Sequence, residues 1–123
     1  MPKDQSSISY NNAQSVVDYV WNQLELQHPP KIYPLAKQNV HAEAKGSRCA
    51  IYIRENVATW VLLHEISHAL TSNHEYSDLH GADFVGMYFK LLERFLNIPG
   101  PYMLFTLKQS NININLAAKP WNI

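Results

Sequence analysis

A chain of 123 residues has room for one hydrophobic core and not for two, so a single domain over 1–123 is expected, with 1–10 and 117–123 as loosely held ends. Its 46% apolar and 16% charged content is that of a globular protein, and a net charge of zero argues against a strongly basic nucleic-acid binder, leaving only a local patch for any DNA or RNA contact. No apolar run reaches membrane-spanning length, Met1-Pro2-Lys3-Asp4-Gln5-Ser6 leads into no signal core, and the single Cys49 has no internal partner, so a cytoplasmic protein without membrane contact is expected.

Val16, Val17, Val20, Trp21 and Leu24 recur at helical spacing and predict a helix over 11–27, stopped by Pro29-Pro30. Residues 31–35 and 40–44 read as short extended segments. Ala50-Ile51-Tyr52-Ile53-Arg54 is the clearest strand, with Gly46-Ser47 as a hairpin turn before it. Residues 57–72 are apolar nearly all round, as in a helix buried on most sides. A polar loop follows. A helix over 78–97 then carries Phe84, Tyr88, Leu91, Leu92 and Phe95 on a wide core face and closes before Pro99. Residues 101–109 predict a last short helix, and 111–116 alternate with period two, as a strand or a docked extended segment. There is no internal repeat or low-complexity linker. The expected fold class is α+β.

The chemistry sits in the buried helix, which contains His64-Glu65-Ile66-Ser67-His68. Residues four apart share a helix face, so His64 and His68 present two imidazoles side by side, as a tetrahedral zinc ion requires. Glu65, one position round, can take the proton of an attacking water as general base. Hydrogen-bonded core histidines are the plain alternative, but burying two rings and a carboxylate in an apolar helix is costly unless a metal compensates.

A third ligand is needed, and four residues offer themselves. His74 falls six residues after His68, a spacing that resembles the metzincin proteases and the YbeY-type metal-dependent endoribonucleases. Those families place a Gly where this chain has Thr71, whose β-branched side chain tolerates positive φ poorly. The YbeY type also has Asp where Asn73 stands here. His80 is expected in the first turn of the second helix, capped by Ser77 or Asp78, with Gly81 removing a side chain where the two helices approach. Glu93 is the gluzincin-style candidate, although its place between Leu92 and Arg94 suits an exposed side chain pairing with Lys90 or solvent. Glu75 reads as loop charge. Asp83, one turn after His80, offers a group to orient that ring. Tyr76, Tyr88 and Tyr102 are candidates to polarise a carbonyl oxyanion, with core or rim packing as the alternative for each.

Taken together, His64-Glu65-Ile66-Ser67-His68 and His80-Gly81-Ala82-Asp83-Phe84 resemble the paired motifs of the SprT-like (Spartan-like) zinc metalloproteases, and of short bacterial and phage metallohydrolases that carry both. The resemblance covers roughly residues 57–96. It implies a small zincin-like metallopeptidase domain in which His64, His68 and His80 hold Zn2+ and Glu65 is the catalytic base, acting on a protein or peptide substrate. DNA as a partner rests on the resemblance alone, because the chain lacks a Cys-rich zinc ribbon and a DNA-binding extension. A peptide is expected to pair by strand addition with the small sheet ahead of the zinc helix. The other expectations are a YbeY-type endoribonuclease and a non-catalytic zinc-stabilised binding module. The alternating tail is a further candidate for the cleft, lying there as an extra strand that restrains activity.

Overall fold

The computed structural model describes residues 7–35, 44–46, 49–72 and 80–120. The chain enters through a three-residue strand, β1 (Ser7–Ser9), and passes directly into α1 (Tyr10–Gln23). The α1 residues that bury are Ala13, Val17, Val20 and Trp21, one stripe at helical spacing. The helix ends earlier than its apolar pattern suggests because Glu25 takes a left-handed conformation, φ 59°, and Trp21 Nε1 then donates to Gln27 O at 2.9 Å, folding the connection back on the helix.

Strands β2 (Lys31–Pro34), β3 (Ala44–Gly46) and β4 (Ala50–Ile53) form one sheet in the order β2-β4-β3. β2 runs parallel to β4, with Tyr33 opposite Tyr52, and β3 runs antiparallel to it, with Lys45 opposite Tyr52. Alternation decides the faces: Ile51 and Ile53 are fully buried, whereas the Tyr33 and Tyr52 rings stack outside with centroids 5.4 Å apart. The expected segment at 40–44 reaches the described residues only at Ala44, and the expected turn only at Gly46.

A second sheet was not visible in the sequence. Asn56–Ala58 is a strand, β5, paired antiparallel with β1 through Ser7↔Ala58 and Ser9↔Asn56. Helix α2 therefore begins at Thr59, not at 57, because β1 captures the backbone groups of the preceding three residues. α2 runs to Leu70 and closes on Thr71 at φ −112°, ψ 19°. It packs against α3, β3, β4 and β5 at once, so Leu62, Leu63, Ile66 and Leu70 are at most 1% exposed. Each such side chain contributes roughly 1.5–3 kcal/mol of burial free energy.

Helix α3 (Ala82–Leu96) turns Phe84, Met87, Leu91 and Leu92 to the core and ends on Asn97 in the left-handed region, φ 55°, two residues before Pro99. Its first helical residue is Ala82, so His80 precedes the helix and its N-cap Gly81 instead of lying within the first turn. Helix α4 (Gly100–Gln109) follows, with Met103 buried. Residues 111–120 form no strand despite their alternation; they cross α3, where Ala118 is buried and its carbonyl accepts a hydrogen bond from Lys90 Nζ at 2.5 Å. The crossing is close enough that a Cβ on Gly86 would collide with Asn115 O. Among the described residues, four helices and two small sheets around one core make the architecture α+β. Among the described residues no helix is long and apolar enough to cross a membrane.

Candidate metal centre

Helix α2 buries Val61, Leu62, Leu63, Glu65, Ile66, Ser67, Ala69 and Leu70, leaving His64 and His68 as its only half-exposed stripe past the first turn. Its C-terminal turn is tightened from within: Ser67 Oγ donates to Leu63 O and Thr71 Oγ1 donates to Ser67 O, both at 2.8 Å. Thr71 keeps negative φ, as a β-branched residue should.

His80 comes from the approach to α3 and closes a triangle with the α2 pair. Its Nε2 lies 3.2 Å from His68 Nε2 and 3.3 Å from His64 Nε2, and the three candidate ligand atoms fall within 4.8 Å of one another. A tetrahedral ion about 2.0–2.1 Å from each nitrogen would set neighbouring ligand atoms about 3.3 Å apart. Hydrogen bonding does not explain both contacts. A ring nitrogen offers one in-plane site, either an N–H or a lone pair, so His80 Nε2 cannot make a linear bond to two partners at once. A shared cation uses all three lone pairs.

Burial, reinforced by neighbouring imidazoles, lowers the pKa of His64 and of His68 to about 4, which keeps both neutral and their lone pairs free near pH 7. Glu65 is 7% exposed, with Oε2 3.9 Å from His64 Nε2. Burial pushes its carboxyl up to about 7. Behind the rings lies an aromatic wall of Phe84 and Tyr88, both on the expected core face of α3. Phe84 stacks on His68 at 4.4 Å and 28°, and meets His64 and His80 edge-on at 4.9 Å each. Tyr88, edge-on to His64 at 5.3 Å, donates its hydroxyl to Trp60 O at 3.0 Å; burial and the Glu65 charge raise its pKa. The four-residue spacing of His80, Phe84 and Tyr88 was the available signal for this wall.

Glu93 and Tyr102 stand elsewhere. Glu93 is exposed near the far end of α3, roughly 16 Å along the axis from Ala82, with its carboxylate over Gly100. Asp83 Oδ1 accepts a hydrogen bond from Asn115 Nδ2 at 2.8 Å. Tyr102 is an exposed residue of α4. His74, Glu75, Tyr76, Ser77 and Asp78 lie outside the described residues. A concavity of about 900 Å³ bordered by Tyr10, Leu35, Arg54 and Glu55 opens beside α1 and includes none of the three histidines.

The His64, His68 and His80 group is thus close enough to hold a metal ion, and the all-imidazole donor set suits a borderline-soft divalent cation. No protein-family model matches the chain, and no curated protein or solved structure matches it.

Proposed function

We propose that the protein is a zinc-dependent metallohydrolase of the small zincin type, and that it cleaves peptide bonds. The observation that carries this reading is the convergence of three imidazole nitrogens, with His80 Nε2 3.2–3.3 Å from the other two, beside a buried carboxylate. Zinc bound there would supply Lewis acidity, polarising a scissile carbonyl and acidifying a water molecule. His64 and His68 hold their lone pairs at fixed helical spacing, and His80 completes the donor set from outside the helix. Glu65, one residue from His64, accepts the proton from the attacking water at a carboxylate oxygen and passes it to the leaving amine. Phe84 excludes water from the back of the rings.

A polypeptide substrate is supported by the sheet. β3 is at its edge, lies against α2, and among the described residues has no strand on its outer side, so an extended chain can add there and pass the metal. The test combines metal analysis with substrate assays. Purified protein should hold about one zinc and cleave an unfolded polypeptide. Glu65→Gln should keep the zinc and lose the hydrolysis. A folded chain that takes up no zinc, or a Glu65→Gln variant as active as the wild type, would overturn the reading; cleavage of RNA and not of polypeptide would replace it with an endoribonuclease.

A further inference from the structure

We propose that Asn115 is a positioning residue for His80: it clamps the start of α3 so that the third imidazole meets the α2 pair at ligand distance. The proposal rests on the metal-centre reading above. Four contacts carry it. Asn115 N donates to Ala82 O at 3.0 Å, Asn115 Nδ2 donates to Asp83 Oδ1 at 2.8 Å, Asn115 Oδ1 accepts from Ala117 N at 3.0 Å, and Asn115 O presses on Gly86 one turn further along α3.

The placement matters because of what stands on either side. His80 is joined to Ala82 through Gly81 alone, and Gly81 has no side chain with which to cap the helix. The tail therefore fixes the first two helical residues from outside, at the point where a displacement is passed most directly to His80. Metal–nitrogen distances tolerate only about ±0.2 Å, so a small shift of this turn costs affinity. The side-chain chemistry is specific to an amide. Its oxygen receives the Ala117 N–H while its nitrogen faces the Asp83 carboxylate, so aspartate at 115 would set two carboxylates against each other and alanine would lose both bonds.

The experiment is a zinc titration of the full chain under chelator competition, with the visible spectrum of the cobalt-substituted protein as a second readout. Asn115→Ala should weaken zinc binding by about tenfold and alter the cobalt spectrum, as loss of a group that supports a ligand does. The exchange Asp83→Asn with Asn115→Asp restores an amide-to-carboxylate bond and should recover most of the affinity. Lys90→Met, which releases the tail at Ala118 and leaves the start of α3 untouched, should bind zinc as the wild type does. Unchanged affinity in Asn115→Ala, failure of the exchange to restore it, or an equal loss in Lys90→Met would each overturn the positioning role. A wild-type chain that binds no zinc would instead overturn the metal-centre reading, and this proposal with it.

Discussion

His64 and His68 come from the middle of α2, where intrahelical hydrogen bonds and packing on α3, β1, β3, β4 and β5 hold the backbone. His80 comes from the approach to α3, an exposed residue ahead of the helix, held through Gly81 and a strap of tail. The same ring nitrogen is presented to the same point by a rigid element in one case and by an assembled junction in the other. A group of three histidines able to hold a metal need not be equally preformed at each member: here the spacing of two is set by the helix itself, and the third by contacts distant in sequence.

Removal of the histidines should have the largest effect. His64→Ala or His68→Ala should weaken zinc binding by more than about 100-fold, beyond what loss of a supporting group causes. His80→Ala should also bind weakly but retain more affinity than either, because the pair it leaves behind is still preorganised on one helix face; chelator competition on the three variants measures the order. Equal losses in all three would show that α2 confers no advantage. Next in size is Gly86→Ala. The new methyl meets Asn115 O, so the tail must lift, and denaturant unfolding should report a loss of roughly 1–3 kcal/mol.

Acid distinguishes the regions more gently. In metal-free protein, His64 and His68 have folded-state pKa values lowered from 6.5 to about 4, so the unfolded chain binds more protons in that window and stability falls as pH drops from 6.5 towards 4. Glu65 has the opposite sign: its pKa rises from 4.5 to about 7, so it opposes folding as pH climbs through that range. Urea midpoints of metal-free wild type should therefore rise from pH 4 to 6.5 and slip slightly towards pH 7.5, and Glu65→Gln should abolish the slip. The smallest expected effect is that of Tyr88→Phe, which removes the bond to Trp60 O and should cost about 0.5–1.5 kcal/mol in the same unfolding measurement.

Helical periodicity is local, so the α2 face bearing His64 and His68 and the α3 face bearing Phe84, Leu91 and Leu92 were legible from spacing alone. His80 was legible through the motif around Gly81, but its position outside α3 was not, since the helix takes Gly81 as its N-cap, a residue with no side chain to signal a cap. β1 and β5, three residues each, are too short to carry a period and exist only because each supplies the other's partner. Gly86 looks like a flaw in a helix until Asn115 is laid across it. Glu93 had the right chemistry and the wrong end of the helix.

The β1–β5 pairing bears on when the His64 and His68 pair takes shape during folding. A helix of 12 residues is marginal in isolation, so α2 is not expected to persist on its own early in folding. Its first turn follows a strand whose partner, Ser7 against Ala58, lies across the whole of α1 and the other sheet. Closing so long a loop costs entropy before any contact repays it, which places the event late among the steps of folding. The imidazole pair thus acquires its lasting geometry only as the chain as a whole condenses, and the rate at which newly folded protein captures added zinc should follow the rate of global folding and not that of helix formation.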